Sequence, residues 1–195
     1  MTSMIPSNMT IIEVNRALRD ALRTYVQNDV LISFELPDPG NLPSVPTVSV
    51  FLYDVHEDLQ LRVGESRAYS GGALLPAKVN VCLNYLITYW DSSQSRSADG
   101  PGGEPANQSI IVMNQVLNAL INNRVLQGLP NVYTKVMPPK QDLFSLGTFW
   151  QSLGNKPRLL LNYVATVPIP LTDHNDTIEP VEVSEVRLEN LTSPR

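Results

Sequence analysis

The residues best equipped for chemistry are Asp54-x-His56-Glu57, Cys82, and His174 set among Asp173, Asn175 and Asp176. An imidazole beside carboxylates is what a metal centre or an acid–base pair would use. Alternation along a strand, however, points Asp54 and His56 to one face and Glu57 to the other. A metal needs three or four converging ligands, so His56 reads as a surface histidine. His174 lies in a polar stretch without fixed geometry, and the Asp-x-Asx spacing of a calcium loop is absent there. No serine stands in Gly-x-Ser-x-Gly, the nucleophile elbow. Cys82 has no basic neighbour in sequence to lower its pKa and reads as a small, inert core residue. Tyr133, Trp150 and Trp90 are the aromatic residues that could line a small-ligand or carbohydrate pocket, although core packing also accounts for them. No catalytic residue, metal site or cofactor is assigned.

Composition narrows the classes further. At 195 residues the chain suits one domain with a real core. Charged residues make up only 17%, which leans towards a surface partly covered by other protein. The net charge is −5 with no Lys/Arg cluster, so nucleic acid is not an expected partner. A single cysteine excludes an internal disulfide or a multi-cysteine metal site and fits assembly in a reducing cytoplasm. No window approaches the roughly 20 apolar residues that span a bilayer, so no membrane insertion is expected. The Asn-x-Ser/Thr matches at Asn8, Asn107, Asn175 and Asn190 mean little without a secretory signal.

The elements are organised around Lys78–Trp90. Val79, Val81, Leu83, Tyr85, Ile87 and Tyr89 occupy alternate positions, which puts them on one side of a strand. The hexapeptide Leu83-Asn84-Tyr85-Leu86-Ile87-Thr88 is echoed by Leu161-Asn162-Tyr163-Val164-Ala165-Thr166. Two strands so alike are expected in one sheet, facing the same helices. Val45–His56 predicts another strand, with Val48, Val50 and Leu52 on one face and Phe51, Tyr53 and Val55 on the other. With both faces apolar it should be central and covered on each side. Shorter strands are expected over Val30–Glu35 and Val132–Met137, and a long one over Arg158–Ile169.

Thr10-Ile11-Ile12-Glu13 matches a capping box, opening a helix to about Asn28 with Ile11, Val14, Leu18, Ala21, Leu22 and Tyr25 as its apolar stripe. Arg16, Arg19 and Arg23 gather on another side, a row that is either solvated or a docking face. A second helix is expected over about Asn107–Leu126, burying Ile110, Met113, Val116, Leu117, Leu120 and Ile121. A third is expected after Asp142, carrying Leu143, Leu146, Phe149, Trp150 and Leu153. Asp91–Pro105 holds no large apolar residue and reads as a mobile surface loop, without the spacing of a phosphate-binding motif. From about residue 171 the chain turns polar and acidic. Val181, Val183, Val186 and Leu188 give short apolar alternation there, suited to an arm that adds a strand to a neighbour. The expected architecture is therefore α/β (α+β): a mixed or antiparallel sheet with two to three helices over residues 1–170, then a C-terminal arm over 171–195.

Several stretches together resemble one family. Pro46-Thr47-Val48-Ser49-Val50-Phe51-Leu52-Tyr53-Asp54-Val55, with Glu57, Leu59 and Leu61, is similar to its P-T-V-x-x-F-L-Y-D-x signature. Leu83–Trp90 resembles its L-x-Y-L-[IV]-T-A-W strand, with Tyr89 where a small residue is usual. Leu143, Trp150-Gln151-Ser152-Leu153-Gly154, Lys156-Pro157-Arg158 and Leu161–Val167 resemble its closing segment. The family is the terminator or cap protein of extracellular contractile injection systems of antifeeding-prophage and virulence-cassette type. The resemblance covers about residues 10–170. It implies a phage tail-terminator-like α/β domain that is not an enzyme. Such a domain would form a homohexameric ring on the last tube and sheath layers and end their polymerisation. The implied partners are further copies of the chain and the sheath and inner-tube proteins of a particle either released or held in the cell. A ligand-binding module is the alternative, recognisable by ligand-dependent stabilisation of a free monomer.

Overall fold

The computed structural model describes residues 7–38, 40–60, 69–70, 73–92, 104–129, 131–137, 151 and 158–171. Lys78–Trp90 forms one unbroken strand, β5, in the middle of a five-stranded mixed sheet. On one side lie β2 (Thr47–Glu57), antiparallel to β5, and then β1 (Leu31–Ser33), parallel to β2. On the other side lie β7 (Leu160–Pro170) and the edge strand β6 (Tyr133–Val136), both antiparallel. A two-residue pair, β3 (Tyr69–Ser70) with β4 (Ala73–Leu74), stands apart from this sheet.

The echoed hexapeptides are direct neighbours. Tyr85 sits opposite Tyr163, with Leu83 opposite Ala165 and Ile87 opposite Leu161. The two tyrosine rings approach to 6.1 Å at 50°, a tilted arrangement that aromatic quadrupoles favour. Equivalent positions in the two echoes thus share one face. Leu83, Tyr85, Ile87, Tyr89, Leu161, Tyr163, Ala165 and Val167 are all buried in the core there.

Two helices cover that face. Helix α1 (Thr10–Arg23) buries Val14, Leu18 and Leu22, one per turn, and burying each leucine contributes roughly 1.5–3 kcal/mol. The expected capping box does not form. Thr10 is already helical, and its N–H donates to Asn8 Oδ1 at 2.8 Å. The helix also ends at Arg23 rather than near Asn28, and a tight turn follows in which Val26 N–H donates to Leu22 O. Tyr25 therefore leaves the stripe and is 40% exposed, while Val26 is buried in its place.

Helix α2 (Gln108–Asn122) starts as expected, with Asn107 Oδ1 accepting from Ile110 N–H at 3.0 Å. Its buried face is rotated from the expected one. Val112, Met113, Val116, Ala119 and Leu120 face inward, while Ile110 and Ile121 are exposed. Opposite Asn114, Asn118 and Asn122 the apolar arc is wide, running from Ile110 and Ile121 round to Ala119, so periodicity alone does not select which part of it meets the sheet. Gly128, at φ +80°, turns the chain towards β6 in a left-handed conformation natural only for glycine.

The strand at Val45–His56 also differs from expectation. It lies beside the centre, and its burial fades from complete at Thr47–Val50 to exposed at Asp54–Glu57. The register skips between Leu52 and Asp54, leaving Tyr53 as a β-bulge. That extra residue moves Val55 onto the side of Leu83, away from Phe51. β1 is shorter than its apolar run because Ser33 Oγ accepts from Glu35 N–H and the chain bends away. The expected third helix, the 91–105 loop beyond Ser92 and before Glu104, and the arm with Val181, Val183, Val186 and Leu188 lie outside the described residues.

Candidate functional site

The bulge at Tyr53 aims Asp54 and His56 onto the face of β5 that bears Asn84 and Cys82. His56 Nδ1 lies 2.8 Å from Asp54 Oδ2, and Asn84 Nδ2 donates to the same oxygen at 2.9 Å. Cys82 Sγ contacts Thr166 Oγ1 at 3.4 Å and Asp58 Oδ2 at 3.6 Å. Glu57 points to the opposite face, as alternation requires. This group joins the outer end of β2 to β5 and β7 by side-chain hydrogen bonds. It does not form a nucleophile with its base. Burial pushes the Cys82 thiol up, and the nearby Asp58 carboxylate adds to that shift. A reactive cysteine needs the reverse. Among the described residues no three His, Cys, Asp or Glu side chains converge as a metal site would require.

Trp90 and Tyr133 do not meet either. Trp90 is fully buried, its Nε1 donating to Thr88 Oγ1 at 2.8 Å, with the Arg158 guanidinium 4.1 Å over the ring. Tyr133 is 69% exposed at the sheet edge and pairs with Thr166, itself opposite Cys82. Cys82 and Trp90 are separated along β5 by about 26 Å at the usual strand rise. Trp150 lies outside the described residues.

The arginine row divides on inspection. Arg23 is half-buried, and its guanidinium donates to Val30 O at 2.8 Å and Gln27 O at 3.3 Å. It closes the turn after α1, where a cation also favours the helix C-terminus. Sequence spacing placed Arg23 with its neighbours but gave no sign of this reach. Arg16 and Arg19 are exposed, and Arg19 makes only a loose 3.8 Å contact with Asp20. Such an exposed pair contributes little stability.

The remaining notable surfaces are apolar. Ile110, Ile111 and Ile121 project from α2, and Val125 just beyond it is 70% exposed. Periodicity missed this outer face because it assigned two of those isoleucines to the core. No helix among the described residues is long and apolar enough to cross a membrane.

A fold held together by packing, with no assembled reactive centre among the described residues, directs attention to what the chain resembles as a whole. The cryo-EM structure of a PVC sheath/tube terminator, from an extracellular contractile injection system in its extended state, is 50% identical in sequence. It superposes with a TM-score of 0.73 over 97% of this chain and 67% of that one. The cap of the anti-feeding prophage, described as a tube-terminating cap, is 52% identical, with a TM-score of 0.71. That match covers 91% of this chain and 61% of that one. The chain thus spans about two thirds of the length of these relatives. Among curated proteins, none matches. The family model of the Pvc16 N-terminal domain matches residues 13–184, and the chain belongs to that family.

Proposed function

We propose that this chain is a structural cap of a contractile, phage-tail-like particle, seated on the last tube and sheath layers and ending their polymerisation. The observation that carries this reading is the identity of 50% to a sheath/tube terminator across 97% of the chain, on the same fold. The chain acts by shape and contact in this reading, and no catalytic step is assigned to it. It works as a homohexameric ring, which a head-to-tail interface closes under six-fold symmetry. Its partners are further copies of itself and the sheath and inner-tube proteins, and its place is at one end of the assembled particle.

Arg16 and Arg19 on the exposed side of α1 are the proposed docking cations, while Arg23 holds the turn beneath them. Residues 1–170 form the ring-building domain and 171–195 an arm. Supporting this division, the chain is pinned at its junction, where Leu171 N–H donates to Ala77 O at 2.8 Å. Val181, Val183, Val186 and Leu188 would then add a strand to a neighbouring subunit or to the last sheath layer.

Electron microscopy of particles made with and without the chain tests the reading. Without it, tails should vary in length and lack density at one end. Tails of normal length and intact ends would overturn the capping role, and terminal density of another symmetry would overturn the hexamer. Deleting 171–195 should leave the domain folded but loosen it from particles. Full retention through purification would remove the arm from the proposal.

A further inference from the structure

The two edge strands of the main sheet, β1 and β6, are flanked by opposite charge. Residues 24–46, which hold β1, contain Asp29, Glu35 and Asp38 and no Lys or Arg. Residues 123–137, which hold β6, contain Arg124 and Lys135 and no Asp or Glu. All five are exposed, and among the described residues none of them forms an ion pair. We infer that the β1 edge of one copy docks on the β6 edge of the next, as the head-to-tail contact of the proposed ring.

The backbone leaves both edges open to a strand. β1 pairs on one side only, where Leu31 N–H donates to Pro46 O, so Ile32 turns its N–H and C=O away from β2. In β6, Met137 N–H donates to Asn162 O, and the pairing of Lys135 with Val164 keeps that phase. Thr134 and Val136 therefore direct their backbone groups outward, and no described residue bonds them there. Such an edge is a template for another chain. Leu31 and Val45 beside the first edge, and Tyr133 and Met137 on the second, are exposed apolar side chains that the contact covers.

Charge and direction select a head-to-tail partner over a two-fold one. Pairing β1 with β1 opposes acid to acid, and β6 with β6 opposes cation to cation, whereas β1 with β6 joins unlike charges. β1 runs against β5 and β6 runs with it, so a copy added by rotation meets its neighbour antiparallel. The two edges are also staggered. β1 lies level with residues 88–90 of β5, and β6 with residues 82–85. That offset is about 17 Å along the strands for about 24 Å across five of them. A ring then closes without axial rise when its strands tilt by about 35° to the axis, a tilt usual in closed sheets. The inference rests on the capping reading for this closure, while the contact itself is tested separately.

Leu31 and Tyr133 lie on the same face of the two edges, away from the helices, and serve as crosslinking positions. Leu31→Cys, Tyr133→Cys and the double variant are treated with a flexible bismaleimide, in isolated particles and as the concentrated free chain. The unsubstituted chain controls for buried Cys82. The double variant should give a ladder of dimers and longer oligomers. Each single variant should not crosslink to itself, and a mixture of the two should stop at dimers. Within the double variant, Asp29→Lys with Glu35→Lys should cut the ladder about tenfold, as should Arg124→Glu with Lys135→Glu. All four changes in one chain should restore it, with thermal melts confirming folding. Self-crosslinking of a single variant overturns the inference, as does a ladder indifferent to these charges. A chain present at particle ends whose double variant stays uncrosslinked overturns the contact alone. A chain absent from particle ends overturns the capping role alone, and the free-chain ladder then decides the contact.

Discussion

Removing the hydroxyl of Tyr85 isolates one bond between the central strand and the helical layer. Tyr85 is fully buried, packed on Tyr163, and its hydroxyl donates to Asn15 Oδ1 of α1 at 2.7 Å. Tyr85→Phe keeps the ring and loses that bond. The expected cost is about 0.5–1.5 kcal/mol, since the partly buried Asn15 amide retains some access to water. For a chain of this size that lowers Tm by roughly 1–6 °C. Tyr85→Ala removes the ring as well and leaves a cavity against Tyr163, costing about 3–5 kcal/mol. Tyr85→Asp would bury an unpaired charge and should abolish folding. Urea unfolding of Tyr85→Phe, Asn15→Ala and the double variant gives the coupling directly. The hydrogen bond predicts that the second substitution adds little to the first. Strict additivity, or a Tyr85→Ala variant losing less than about 1 kcal/mol, would refute the placement of Tyr85 beneath α1.

Other expectations follow from the same structure. Asn107→Ala removes the side-chain cap of α2 and should cost about 1 kcal/mol in urea unfolding, with Asn107→Asp largely preserving stability. Burial raises the pKa of Tyr85, Tyr89 and Tyr163 above the usual tyrosine value. Their neutral form is therefore favoured in the folded state, so this contribution is complete below pH about 10 and is lost as pH rises further. Alkaline melts should show Tm falling above that point, and ultraviolet absorbance of the native protein should show buried tyrosines that stay neutral beyond it. A native protein whose tyrosines all titrate together near pH 10 would contradict the burial. Cys82, buried and with a raised pKa, should resist thiol reagents at neutral pH and react at once in denaturant. Rapid native labelling would place it at the surface.

What could be read directly from the chain was whatever depends on local periodicity. The alternation through Lys78–Trp90 marked β5 from end to end, because a period of two over so many residues fits no helix. The echo around Tyr85 and Tyr163 anticipated two strands in one sheet facing the same helices. The structure adds that they are antiparallel neighbours with their tyrosines opposed. The motifs from Pro46 to Val167 carry the resemblance to the cap and terminator family without reference to the fold.

Tertiary structure decided what depends on partners distant in sequence. The bulge at Tyr53 arises from the register between β2 and β5 and reassigns Val55 to the other face, a shift invisible to alternation in β2 alone. Helix α2 is apolar on most sides and uncharged, so only the sheet and α1 determine that Val112 and Ala119 go inward while Ile110 and Ile121 remain outside. Asn80, Asn84 and Thr88 look like solvent-facing residues in isolation, yet all three are buried. Asn84 and Thr88 are satisfied by Asp54 and Trp90, partners that folding brings within reach. Arg23 likewise resembled one more cation in a surface row until the turn after α1 brought the carbonyls of Gln27 and Val30 to it. Periodicity reports the preference of each segment for a buried side, but the choice between two adequate sides is made by the neighbour that covers one of them.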